Sequence, residues 1–239
     1  MPGPNDHIFI LGGTSGLGLS VARSAAALGC RVTIAGRGHE RAAEIAKSIG
    51  PTVTGVEVDL EDSGSIHAAM ATGDPIDHLV ITPVSAGEIS IKAFNVADAT
   101  RFVRVKILGY AEVVSEALPR LKPTSSIVLF GGAAKARPYP GGTMVSTANG
   151  AIVAMTRTLA VELATIRVNG ISPGLVRDSP RWERRISQGA GPMVDAVAAR
   201  TPGRRLPMTE DIVHAVFFLT DNRAVNGIDL EIDAGGLLV

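Results

Sequence analysis

A single cysteine, Cys30, excludes any intramolecular disulfide, so nothing covalent staples this fold. Cys30 sits where the chain re-enters an apolar strand and reads as a buried, inert thiol. Charge of one sign is lacking as well: 23 Lys and Arg balance 23 Asp and Glu. No global field then draws nucleic acid or an anionic membrane, and the expected partners are small molecules. The opening MPGPNDH has no basic segment ahead of an apolar core, and no apolar run reaches membrane-spanning length. The expectation is a cytoplasmic protein that uses no membrane. His7, His39, His67 and His78 fall at no metal-ligand spacing, His214 lies in the apolar run DIVHAVFFLT as a structural residue, and no metal is expected. No repeat, linker or low-complexity tract divides the 239 residues, so one domain spanning 1–239 follows.

What is present is organised around IFILGGTSGLG at positions 8–18. An apolar, β-branched strand over 7–11 stops in a loop with glycines at 12, 13, 16 and 18, and small and apolar residues then repeat at helical spacing from 17 to 29. Gly12 permits a sharp turn, Gly16 lets backbone N–H groups approach a pyrophosphate, and Gly18 lets the helix pack close to the strand. The helix N-terminus faces the anion, with Thr14, Ser15 and Leu17 completing the loop. A strand before the loop and a helix after it point to a dinucleotide-binding unit.

The second strand, 31–35, ends in Gly36-Arg37-Gly38. In such a unit this end lies beside the adenosine ribose. An acidic residue there would accept from a 2′-hydroxyl, whereas the forked guanidinium of Arg37 suits a 2′-phosphate, which points to NADP rather than NAD. The alternative for Arg37 is a solvated arginine at a helix start. A helix over 39–49 and a third strand over 53–58 lead to Asp59-Leu60, where the adenine would lie. Asp59 either accepts the adenine amino group or caps the helix that starts near Asp62, and the two roles are compatible.

Further strands are expected at 76–82, 126–130, 167–171 and 228–232, with helices at 97–118, 145–163 and 209–219. Strands alternating with helices give an α/β fold with a doubly wound parallel sheet. The stretch 177–205, rich in Gly, Pro and Arg and holding Trp182, is the expected mobile flap over the site. Its Arg177, Asp178, Arg181, Arg184 and Arg185 either face an anionic or aromatic substrate or form a solvated charged helix.

GGTSGLG after the first strand, RTLAVELATIRVNGISPGLV from 157 to 176, and the C-terminal GIDLEIDAGG together resemble the short-chain dehydrogenase/reductase family over essentially the whole chain. The resemblance implies a single-domain Rossmann-type fold, a nicotinamide cofactor, and homodimers or homotetramers built through the two long helices. Those helices also carry more apolar and small residues than one buried face needs. On the residues that match, Gly12, Gly16 and Gly18 form the cofactor loop and Asp59 contacts adenine. Pro173, Gly174 and Val176 form the loop at the nicotinamide carboxamide.

The resemblance breaks at the chemistry. Counted back from TRTLAVEL, the family's lysine falls on Asn149 and its tyrosine on Val145; its serine falls near Gly132, and its helix asparagine on Lys106. The Asn-Asn-Ala-Gly expected after the fourth strand is replaced by Ile81-Thr82-Pro83-Val84, with Ser85-Ala86-Gly87 as a shifted remnant at best. Valine cannot pass a proton, and Asn149 can bond a ribose hydroxyl but brings no charge. Lys135, Arg137 and Tyr139 lie between the serine and tyrosine positions. Arg137 in AKARP is the first candidate to polarise a carbonyl, against the alternative of a surface arginine in a turn. Tyr139, held between Pro138 and Pro140, is the nearest phenol or a packed turn residue. Lys106 either points into the site or snorkels along a helix interface. The functions left open are an atypical NADP(H)-dependent oxidoreductase, a non-redox cyclase or isomerase on the same scaffold, and a non-catalytic cofactor-binding or sensing protein.

Overall fold

The computed structural model describes residues 1–83 and 89–239. The central strands of its sheet, the IFIL of HIFIL, the LVI of IDHLVI and the IVLF that ends the fifth, carry buried apolar side chains at consecutive positions, as strands covered on both faces require. β1 His7–Leu11, β2 Arg31–Gly36, β3 Val53–Glu57, β4 Ile76–Ile81, β5 Leu121–Phe130, β6 Arg167–Pro173 and β7 Asp229–Ile232 form one parallel sheet in the order β3-β2-β1-β4-β5-β6-β7. The order reverses between β1 and β4, where Ile8 pairs with His78 and Leu11 with Ile81. Ligands of doubly wound sheets bind at such a switch point, beyond the C-terminal strand ends.

The two-residue alternation of the strands sorts the core into two layers. Ile8, Ile10, Val32, Ile34, Val128 and Ile171 face α1 Gly16–Ala27 and α9 Thr209–Asp221, while Phe9, Leu11, Leu79, Ile127 and Leu129 face the other side. That second layer is covered by α3 Ser63–Met70, α5 Gly109–Ala117 and α6 Thr143–Glu162. Cys30 is buried in the first layer, and burial pushes its thiol up to about 11, as an inert packing residue requires. α2 His39–Ile49 has the bounds its sequence pattern gives.

Three elements differ from the pattern. The expected helix over 97–118 is α4 Val96–Val103 and α5 joined through a π-helical turn, Arg104–Leu108. β5 begins at Leu121, five residues before the strand expected at 126, because Leu121 pairs with Ile76 of β4 across a shift in register. The stretch expected as a flap contains α7 Pro180–Arg185, a second π turn Ile186–Ala190 and α8 Gly191–Arg200. Among the described residues no helix is long and apolar enough to cross a membrane.

Two imidazoles lie at the sheet's N-terminal edge. His7 bonds the Pro75 carbonyl at 2.9 Å and Thr33 Oγ1 at 2.8 Å, and His78 bonds Ser126 Oγ at 2.9 Å. Burial holds both below their ordinary value of 6.5. The unfolded chain therefore binds more protons than the folded one as pH falls through this range, and stability is lost below about 6.5. Melting temperatures measured from about pH 7.5 to about pH 5 are expected to fall, and a His78→Gln variant to lose part of that dependence.

Candidate functional site

At the switch point the glycine loop is held from both sides. The Gly12 N–H donates to the Ala35 carbonyl at 2.9 Å, and Thr82, just beyond β4, donates its N–H and its hydroxyl to the Leu11 carbonyl at 3.1 and 2.9 Å. Gly12 has φ +78°, and a Cβ there would collide with Thr82 Oγ1. A Cβ on Gly18 would collide with the Gly12 carbonyl, so helix and turn touch backbone to backbone. Gly16 has φ +55° and open space where a Cβ would stand. Ser15 is the N-cap of α1, its side chain makes no cap bond, and no acidic residue lies in the first turn. The free N–H groups of this helix end thus look onto an open, uncharged cradle of the kind that takes a phosphate.

Arg37 directly follows β2, is exposed, and has no ion-pair partner among the described residues. Gly36 beside it is packed so closely on Thr14 that a Cβ would strike the threonine side chain. Thr14 and Arg37 thus flank the same corner. Asp59 uses Oδ1 to accept the Glu61 N–H at 3.0 Å, and α3 is capped by Asp62, which accepts from the Gly64 N–H. The capping role therefore falls to Asp62 and not to Asp59. Leu60 is buried in the core.

On the other side of the cleft, Val145 and Asn149 lie one turn apart on α6. Val145 packs with Met144, Ile107 and the buried Ile89, Ala99, Phe102 and Ala148. Asn149 is 7% exposed and has no hydrogen-bond partner among the described residues. Its Nδ2 lies 2.8 Å from where a Cβ on Gly132 would be. The carboxamide therefore fills the space that a side chain after β5 would need, and its two N–H donors remain available.

The loop that follows is clasped to the C-terminal end of the chain. Lys135 Nζ reaches Asp229 at 3.0 Å and Glu231 at 2.5 Å, both on β7, and Asp229 also accepts from Ser172 Oγ at 2.9 Å. Burial opposes the Lys135 charge, but its bonds to Glu231 and Asp229 hold its pKa above the ordinary value. Arg137 is exposed and donates through Nη1 to the Gly236 carbonyl at 2.6 Å. Tyr139 is 38% exposed, and its ring covers Gly142, 3.0 Å from where a Cβ there would stand.

Lys106 lies in the π turn and is 2% exposed. Its ammonium donates to Tyr110 Oη at 3.0 Å, to the Pro83 carbonyl at 3.5 Å and to the Phe130 carbonyl, and the Tyr110 hydroxyl donates to the Pro83 carbonyl at 2.9 Å. Of the two alternatives for Lys106, the structure has neither an exposed snorkel nor a side chain in open cleft: it is sealed beneath the ends of β4 and β5. Burial pushes Lys106 down to about 7 and Tyr110 well above its ordinary value. Tyr110 went unread in the sequence. The signal was there, since Lys and Tyr four apart in VKILGYAEVV put two polar tips on one helix face within an apolar stretch. The segment 84–88, with Val84 and the Ser85-Ala86-Gly87 remnant, lies outside the described residues.

Beyond β6, the Gly174 N–H donates to the Ile232 carbonyl at 2.9 Å, Pro173 ends the strand, and Val176 is buried. The stretch that follows is tied at its base: Asp178 accepts from the N–H and hydroxyl of Thr209 at the start of α9, and Arg177 pairs with Asp195 at 2.7 Å. An open groove of about 420 Å³ lies here, lined by Arg177, Asp178, Glu183, Ile186, Ser187 and Met208. Arg185 stacks over Trp182 at 5.2 Å.

The family model described as enoyl-(acyl carrier protein) reductase matches residues 12–236. The chain is 30% identical to the short-chain dehydrogenase/reductase ATR9 of Stachybotrys chlorohalonatus, covering 97% of this chain and 96% of that one. It is 31% identical to the inactive 2-(S)-hydroxypropyl-CoM dehydrogenase 2 of Xanthobacter autotrophicus, covering 90% and 98%. Among solved structures, a short-chain dehydrogenase/reductase family protein superposes with a TM-score of 0.88 at 31% identity over 100% of both chains. A small-chain dehydrogenase in complex with NADPH superposes at 0.83 with 26% identity, covering 98% of this chain and 100% of that one.

The Lys135 clasp has a measurable consequence. Lys135→Met would leave the carboxylate of Asp229, itself nearly buried, without its cation. Urea unfolding is expected to show a loss of about 3 kcal/mol, and the Lys135→Met/Asp229→Asn pair to recover much of it, because the uncompensated charge and not the lost contact dominates the cost.

Proposed function

The chain belongs to the short-chain dehydrogenase/reductase family, and from that premise we propose that it binds NADP(H) and acts as an atypical oxidoreductase on a small organic substrate, without the tyrosine-lysine proton relay. The observation that carries the reading is the pair on α6: an apolar Val145 and a neutral Asn149, without a hydrogen-bond partner among the described residues, stand one turn apart where a phenol and an ammonium would work together.

The residues present fit a nicotinamide dinucleotide. The open cradle at Gly16 and the free end of α1 suit its pyrophosphate, with the hydroxyls of Thr14 and Ser15 at hand and Leu17 in the first turn. Arg37 would hold the 2′-phosphate, and Asp59 and Leu60 would border the adenine. Asn149 would donate to a ribose hydroxyl, and Pro173, Gly174 and Val176 would border the carboxamide. When bound in its reduced form, the cofactor supplies hydride. The protein's own part is to hold, orient and exclude water; it offers no side chain at position 145 to protonate an alkoxide. Arg137, with guanidinium N–H groups beyond the one given to Gly236, and Tyr139 at the adjoining turn are the remaining polar groups of this loop that could meet a substrate oxygen. Pre-activated electrophiles such as iminium ions need no such donor. The stretch 177–205, with Arg177 lining the open groove, would fold over the substrate. A homodimer or homotetramer would form through the helices carrying the exposed Leu108 and Val161.

A second reading is a cofactor-binding protein without turnover. It is favoured by the same pair on α6 and by a relative of 31% identity that is named inactive.

Two measurements test the proposal. Calorimetry should give tighter binding of NADPH than of NADH, and Arg37→Ala should cost about 1.5 to 3 kcal/mol for NADPH alone, roughly ten- to a hundredfold in affinity. Equal affinities would remove the arginine from the phosphate. NADPH oxidation should then be followed against ketones, aldehydes and iminium compounds, with Arg137→Ala and Tyr139→Phe alongside. Simple carbonyls should turn over roughly a hundred- to ten-thousandfold more slowly than a general acid would allow. Brisk ketone turnover untouched by either substitution would refute the missing relay, and binding with no oxidation of any substrate would leave the second reading.

A further inference from the structure

Lys106 is a buried cation to which nothing above gives a task. Its three acceptors, Pro83 O, Phe130 O and Tyr110 Oη, are neutral, and among the described residues no carboxylate pairs with it. The charged groups on the elements around it are already matched: Glu112 with Arg104 in its own helix, Glu116 with His67 of α3, and Lys135 of the loop after β5 with Asp229 and Glu231. From α6 the nearest polar contribution to this end of the cleft is the neutral Asn149. Phe130, which Lys106 holds, is the last residue of β5, and Gly131 and Gly132 lead from it directly to Asn149. The ammonium thus sits under the cleft floor, shut off from water, where a charge is weakly screened and acts at a distance.

We propose that Lys106, when protonated, places a positive charge beneath this cleft and makes the site favour the reduced, neutral nicotinamide ring over the oxidised, cationic one. The proposal rests on the nicotinamide reading above. Lys106 acts here as a positioning charge, without touching the ring. The hydrogen bonds close in either protonation state: an ammonium donates three, whereas a neutral amine donates two, to the Pro83 and Phe130 carbonyls, and accepts the Tyr110 hydroxyl, which turns from the Pro83 carbonyl to do so. The charge can therefore leave without orphaning a buried group, and burial sets that loss at about 7.

The test is the ratio of the dissociation constants of NADP+ and NADPH, measured by calorimetry at about pH 6 and about pH 9, where the lysine is charged and then neutral. Phosphate titration affects both ligands alike and cancels in the ratio. In the unaltered protein the ratio should fall roughly three- to thirtyfold between the two pH values. In Lys106→Met, with folding checked by circular dichroism, the ratio should be low at both. The affinity for 2′-phospho-ADP-ribose, which has no nicotinamide, should be unmoved by the substitution. Tyr110→Phe, which removes one acceptor of the ammonium, should shift the transition to lower pH. A purely structural brace would change NADP+ and NADPH equally, and that result, or a flat ratio in the unaltered protein, overturns the proposal. Should Lys106→Met fail to fold, the pH series on the unaltered protein decides. Fragment binding with a flat ratio sinks the role of Lys106 alone, whereas failure of fragment and both dinucleotides to bind sinks the cofactor reading and this one with it.

Discussion

A parallel sheet covered on both faces has its accessible backbone only at the strand ends, and the ends of β1 and β4 are held together here by one threonine. Thr82 gives both of its donors to the Leu11 carbonyl, which fixes the height at which β1 stops and the glycine turn begins. The turn then has room for nothing larger than glycine at 12, since Thr82 stands against it, and at 18, since the Gly12 carbonyl does. Everything that could hold an anion follows from this contact: α1 starts where the turn releases it, with its first N–H groups directed away from the sheet and no carboxylate beside them.

The opposite side of the cleft adds two cations to its glycines, Lys106 buried and Lys135 half-buried. Lys135 binds the loop after β5 to two carboxylates of β7, and Lys106 binds the end of β5 to the residue after Thr82. The two differ in electrostatics. Lys135 is compensated, so its charge is spent locally and its loss costs stability. Among the described residues Lys106 faces only neutral acceptors, so its charge costs more to bury and reaches further. A π turn carries it, and π turns persist where an inserted residue aims a side chain that a regular helix would turn elsewhere.

How much of this could be read from the chain depends on the sequence distance over which the physics acts. The glycine loop, α2 and the alternation of β1 are set by neighbours within a turn or a pleat, and their patterns are visible in a few residues. The start of β5 is not, because residues 121–125 become strand by pairing with β4, as Ile76 does with Leu121 across a shifted register. The partners of Lys135 are 94 and 96 positions away and those of Lys106 are 23 and 24, and no local pattern connects them. Arg137 was read as a substrate group from its place between serine and tyrosine positions, and its bond to Gly236, 99 positions on, was equally out of reach. Tyr110 differs: its spacing of four from Lys106 is local and legible, a polar pair within an otherwise apolar stretch.

The residues at 132, 145 and 149 are not independent of one another. Gly132 and Asn149 share one volume, so a side chain at 132 requires the carboxamide at 149 to move, and a longer cation at 149 would lie over a glycine that offers it no hydroxyl. Val145 is tied by packing to Met144 and Ile107 and to the small cluster of Ile89, Ala99, Phe102 and Ala148, so a phenol there must displace apolar neighbours before it can reach the cleft. Each position is thus held by its neighbour, and the coupling is energetic: residues that share a volume or a field do not substitute additively. The cleft is therefore packed as a unit, with an apolar cluster around Val145 and a buried ammonium in the turn between α4 and α5, and a change at one of these positions must be met by its neighbours.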